Sequence, residues 1–231
     1  MAESSVPSRA DDFIDIYVAP AAVFERRIDG KFGLPLLVLF IGMTALFFAS
    51  RSAMAPIFDA EFTRAMSANP NLTPEQVEAG RKVAGTFGSI FAIAVVPIMA
   101  LLLGVGVWVG ARAAGARLSY AQSATIGTFA LFPKLVESVV AAVQALLMDE
   151  ANLNSRFSVS LGIGRFLDPD TTNGMVLALL GRIDLFTIWI TVLVAIGLKT
   201  MGRTSTAAAA VGAALVWLLG AIPMMLQGMR G

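Results

Sequence analysis

Cysteine and histidine are both absent from the 231 residues, and charged side chains make up only 14% of them. The first two absences remove thiolate nucleophiles, Cys or His metal ligands, Ser-His triads and imidazole proton relays. The expectation is a protein that is not an enzyme and holds no metal or cofactor. Without cysteine, disulfides give no clue to the redox compartment. The low charge, against about 25% in soluble domains, argues against an ordinary water-facing surface. The 17 basic residues are scattered and nearly balanced by 16 acidic ones, so the basic footprint of a nucleic-acid partner is missing. A continuous apolar run is also missing from residues 1–31, which carry six carboxylates and four basic groups. A cleavable signal peptide is therefore not expected.

What the chain has instead is apolar residues: 57% are hydrophobic, and the mean hydropathy is +0.76. These fall in long runs. Leu34 to Ser50 is uncharged and bracketed by Lys31 and Arg51, and with Phe32 and Gly33 it reaches about 28 Å, close to the hydrocarbon thickness. Val83 to Val109 is uncharged and longer than needed, with Pro97 inside it, so tilt or a kink is expected. Ala124 to Met148 and Met175 to Leu198 are apolar apart from a few polar positions, and Ala207 to Leu226 is uncharged. The fold class is thus all-α: a polytopic transmembrane bundle of about five spans, near 32–50, 83–109, 124–148, 175–198 and 207–226, with short amphipathic surface helices. Residues 32–226 read as one membrane domain behind a cytoplasmic or interfacial segment, 1–31. The lipid bilayer is its first expected partner.

Between the first two spans, Thr73, Pro74 and Gln76 have the order of a capping-box helix start. Phe58, Phe62 and Met66 add helical spacing just before it, so one or two surface helices are expected. In Asp11 to Gly30, Phe13, Tyr17, Val23, Phe24 and Ile28 alternate with Glu25, Arg26, Arg27 and Asp29. That pattern fits an interfacial helix lying on lipid headgroups, and equally a short helix packed on the bundle, with Pro20 splitting it in two. The short loops 110–123 and 199–206 hold Arg112, Arg117, Lys199 and Arg203 with no carboxylate. The positive-inside rule then puts the N-terminus in the cytoplasm and the tail Gln227 to Gly231 outside.

Ionisable residues within a bilayer are costly and seek partners, which singles out Lys134, Glu137, Arg182 and Asp184. Lys134 and Glu137 are spaced i, i+3 and can share a helix face. If spans three and four are continuous antiparallel neighbours, Arg182 lies about 12 Å deep, Asp184 about 15, Glu137 about 16 and Lys134 about 21. Pairs of Arg182 with Glu137 and Asp184 with Lys134 are then within reach, giving a neutral cluster that fixes helix register. The alternative is a small transporter or channel that binds a proton or cation at Glu137 or Asp184. Gly106 with Gly110, and Ala208 with Gly212, have small-x-x-x-small spacing that lets helix backbones approach closely. They point to packing within the monomer ahead of a dimer interface. Ser160 to Gly164 (SLGIG) lacks the Gly-Lys-Ser/Thr that would cradle phosphate.

Three segments carry a family resemblance: IYVAPAAVFERRI at 16–28, TIGTFALFPKLVESVV at 125–140 and, above all, LLGRIDLFTIWITVLVAIGL at 179–198. Together they resemble the Yip1 domain family of five-span membrane proteins, over nearly the whole chain. The resemblance implies a helical bundle with a cytosolic N-terminus and no catalytic activity. Eukaryotic relatives act in vesicle traffic with Rab-type GTPases and often form complexes with one another, which implies membrane-protein partners or a homo-oligomer here. DIYVAP at 15–20 departs from their D-L-Y-G-P signature and the tail before it is short, so GTPase binding is not carried over. The alanine-rich chain is more similar to the prokaryotic branch, which implies the inner membrane of a bacterium.

Overall fold

The computed structural model describes residues 10–67 and 71–228. The expected tail beyond residue 228 and the first nine residues of the N-terminal segment lie outside that range. The described residues form ten α-helices joined by turns and two short 3₁₀ segments, with no strand among them. Five stretches are long and apolar enough to cross a membrane: Gly33–Ser50, Phe87–Ala113, Tyr120–Leu147, Leu185–Gly202 and Thr206–Pro223.

The first stretch is α3 (Gly33–Ser50), which follows the hairpin α1 (Asp12–Val18) and α2 (Pro20–Arg26). After α4 (Ala55–Ser67) comes α5 (Pro74–Ala113), a single helix of 40 residues. Its start is the capping box read above: the Gln76 N–H donates to Thr73 Oγ1, and Gln76 Oε1 accepts from the Thr73 N–H. At 1.5 Å per residue α5 is about 60 Å long, twice the hydrocarbon thickness. Its charged first turns, with Glu75, Glu78, Arg81 and Lys82, project beyond the apolar part. Pro97 does not break it.

The third and fourth spans differ from the sequence reading. The third is two helices, α6 (Tyr120–Ala130) and α7 (Pro133–Leu147). Pro133 has no N–H to offer the carbonyl one turn back, so the chain turns at Leu131 and Phe132 and restarts with proline in the first helical turn. The fourth does not begin at 175: α8 (Gly174–Leu180) stops at Gly181, and α9 (Leu185–Gly202) starts afresh after Asp184. The chain ends in α10 (Thr206–Gly228).

At the centre lies α6, where eight consecutive residues, Ser123 to Ala130, are buried. A helix enclosed on every side needs no apolar stripe; the Ser123 and Thr125 hydroxyls donate to carbonyls one turn back, Ser119 at 3.1 Å and Ala121 at 2.9 Å, while the buried Thr128 hydroxyl has no partner among the described residues. Glycine brings its neighbours close. A Cβ on Gly127 would come within 2.8 Å of the Gly104 nitrogen of α5, and one on Gly110 would meet the Gly212 carbonyl of α10 at 2.7 Å. Gly110 and Gly212 are therefore a true backbone contact, whereas a Cβ on Gly106 would meet Val216 only at an ordinary 3.6 Å. Large apolar side chains such as Ile41, Phe91, Leu102 and Val211 point outward, each more than half exposed. Exposure of that kind along whole helices is a surface for lipid.

Candidate functional site

The break in the third span is the most heavily furnished part of the bundle. At the turn, the N–H groups of Leu131 and Phe132 donate three residues back, to Thr128 and Phe129, in the tight pattern of a helix end. The Phe132 carbonyl accepts from the Leu135 N–H at 3.0 Å and also from the Tyr17 hydroxyl at 2.9 Å. Burial pushes the Tyr17 phenol above its ordinary value.

Tyr17 belongs to the N-terminal hairpin, which is packed into the bundle. Ile16, Val23 and Phe24 are fully buried. Phe13 stacks on Phe132 with centroids 5.7 Å apart, Phe24 meets Phe129 edge-on at 6.4 Å, and Tyr17 meets Trp189 of α9 edge-on at 5.8 Å. The Ile28 carbonyl accepts from Gln122 Nε2, and Gly30, at a φ of +75° that favours glycine, lies against Ala121 and Gln122. Of the two readings left open for this segment, the packed one describes it. Its aromatic residues face protein, not headgroups, and Arg27 is only 5% exposed.

The hairpin encloses ions as well as rings. Asp12 accepts from Arg26 Nε at 2.8 Å and from Arg27 Nε at 2.5 Å, and Asp15 accepts from Arg26 Nη2 at 2.6 Å. A carboxylate this deeply buried persists only when its charge and lone pairs are met. These four residues form the ion cluster that the sequence reading missed. Their spacing, two acids on one short helix and two bases at the end of the next, across Pro20, was the available signal.

The four singled-out ions are arranged otherwise than expected. Lys134 and Glu137, in the first turns of α7 beside the break, pair with each other at 2.6 Å, with about a third of each side chain exposed. The cross-span pairs, Arg182 with Glu137 and Asp184 with Lys134, are not formed. Arg182 donates to the carbonyls of Gly220 and Trp217 at 2.9 and 3.0 Å and lies over the Trp217 ring. Gly220 leaves the room for it, since a Cβ there would come within 2.9 Å of the guanidinium. Asp184 caps α9, accepting from the Phe186 and Thr187 N–H groups, and also accepts from the Ser160 hydroxyl at 2.8 Å. The physical reason is the helix break at 181–184. Depth counted along one continuous helix does not apply, and Asp is used as a helix N-cap. Gly181 followed by Asp184 was a legible stop and start.

Chemically, the arrangement is a set of local pairs: carboxylate to guanidinium, ammonium to carboxylate, guanidinium to carbonyl, with Arg182 Nε buried and without a hydrogen-bond partner among the described residues. No group of three or more His, Cys, Asp or Glu residues placed to hold a metal occurs among the described residues. A family model, the Yip1 domain, matches residues 14–226, from the N-terminal hairpin to the last span. No curated protein and no solved structure matches the chain.

Proposed function

The chain belongs to the Yip1 domain family, and from that premise we propose that this integral membrane protein works without catalysis, organising helices or protein partners within the bilayer. One observation supports this reading best: the ions within and beside the spans are occupied locally. Lys134 is held by Glu137, Arg182 by two carbonyls, and Asp184 by two backbone N–H groups and a hydroxyl. A carrier needs an ionisable group free to exchange its partner, and these serve structure. The N-terminus, with the short basic loops 114–119 and 203–205 at the same end of the bundle, lies in the cytoplasm and the C-terminus outside, in a bacterial inner membrane. Partners are membrane proteins or a second copy of the chain. GTPase binding forms no part of the proposal.

Purification in mild detergent, followed by mass spectrometry of co-purifying proteins, tests it. Specific membrane proteins or a stable homo-oligomer are expected, and proteoliposomes of the pure protein are expected to show no proton or cation flux. A flux abolished by Glu137→Gln would overturn the proposal.

One observation favours a second reading, a small transporter: the third span is interrupted next to a partly exposed ion pair, and carriers use interrupted helices at their binding sites. Because the native chain has no cysteine, single cysteines along α7 report water access without background. Labelling by a water-soluble thiol reagent along one face of α7 supports transport, and protection of all positions supports the organising role.

A further inference from the structure

On the side of the membrane away from the hairpin, α3, α4 and α5 enclose a cavity of about 370 Å³. Its wall changes character along its length. On α5, Arg81, Gly85, Gly88 and Ala92 line it, at steps of four, three and four residues, so they form one stripe about 16 Å long. Arg81 lies outside the span and Gly88 and Ala92 within it. Facing them, Phe47 and Arg51 line the cavity from the end of α3, one turn apart. The cavity therefore crosses the boundary between hydrocarbon and headgroups, apolar at its inner end and cationic at its outer end.

The polar end holds Arg51, Arg81 and Asp59. Asp59 pairs with Arg81 at 2.5 Å, while Arg51 forms no ion pair among the described residues. The three charges sum to +1, so one phosphodiester anion neutralises the site and a zwitterion does not. The apolar end is smooth. A Cβ on Gly85 or Gly88 would meet nothing within 4 Å, and the Ser89 hydroxyl is turned back onto the Gly85 carbonyl of its own helix. Missing side chains make this groove, and in an integral membrane protein the molecule beside it in excess is lipid.

We infer that this cavity is a binding site for one anionic phospholipid of the leaflet away from the hairpin, its phosphate held by Arg51 with Arg81 and an acyl chain laid along Gly85, Gly88 and Ala92. The arginines recognise the phosphate through charge-assisted hydrogen bonds. The glycines admit the chain by its width.

The test uses the full chain in nanodiscs of equimolar phosphatidylglycerol and phosphatidylcholine, with retained lipid counted by native mass spectrometry after detergent exchange. Phosphatidylglycerol is expected to be retained over phosphatidylcholine by about tenfold, the equivalent of one charged contact. Arg51→Ala removes that preference. Gly88→Leu, which has room for its side chain and so leaves the bundle intact by circular dichroism, blocks retention of either lipid. Gly33→Leu, equally open but at the other membrane face, retains lipid as the wild type does. Equal retention of the two lipids by the wild type overturns the proposal. Wild-type retention by Gly88→Leu, or loss in Gly33→Leu, overturns it too.

Discussion

At the end of the bundle that carries the hairpin, Asp12 is 2% exposed between Arg26 and Arg27; at the opposite end, Asp170 is 62% exposed against Arg64. Both are Asp–Arg contacts of hydrogen-bonding length. They differ in the solvent around them. The first ties α1 to α2 beneath buried aromatic rings, where an unpaired ion has no water to fall back on. The second joins α4 to the loop before α8, helped by Arg64 donating to the Asn154 carbonyl and by the Arg156 N–H donating to Glu61, all in reach of solvent that can replace each bond. One end is locked by packing and the other is held by exchangeable contacts, which teaches that contact distance alone does not rank the two.

Substitutions can break or sharpen that contrast. Asp12→Ala takes a buried carboxylate away from both Arg26 and Arg27 and is expected to lower stability by about 3 kcal/mol, read as a large drop in the thermal unfolding midpoint in detergent. Asp184→Ala removes the α9 cap and the partner of Ser160, an expected loss of about 2 kcal/mol in the same measurement. Tyr17→Phe deletes one hydrogen bond while Leu135 still serves the Phe132 carbonyl, so a loss of about 1 kcal/mol is expected. Asp170→Asn, at the exposed end, is expected to leave the midpoint unchanged; a drop matching that of Asp12→Ala would erase the distinction.

Acid gives the finest probe. The hydrogen bond from the Arg64 guanidinium holds the Asp170 carboxyl below its ordinary value, against desolvation. A carboxylate depressed in the folded state contributes above its unfolded value and loses that contribution as pH falls through the folded one. Amide protection in residues 154–170, measured against the intrinsic exchange rate at each pH, is therefore expected to fall below about pH 4, and Arg64→Gln is expected to remove that pH dependence.

The membrane class and the existence of the spans were legible because apolar length is a property of one segment at a time. The capping box at Thr73 was legible for the same reason, being a local pattern with one physical meaning, whereas the spacings Gly106–Gly110 and Ala208–Gly212 did not show that Gly110 meets Gly212. The hairpin was not, because Tyr17, Val23 and Phe24 present the same amphipathic pattern to headgroups as to a protein groove. The ion pairs failed for a different reason. Placing Arg182 against Glu137 assumed that 175–198 is one helix, and the short break at 181–184 turns Asp184 from a mid-span charge into a cap. Pro133 marked the other break, yet nothing in its neighbours shows that a tyrosine more than a hundred residues upstream meets the carbonyl of Phe132.

The unbroken course of α5 makes it a lever. Its inner half is clamped, with Gly104 against α6 and Gly110 against α10, while its outer tip bears α4 through Arg81 and Asp59. A rod does not absorb rotation along its length, so a swing of about 5° about the clamp carries the tip, roughly 40 Å away, by about 3 Å. With no break in the helix, the position of the tip is geometrically tied to that of the clamp.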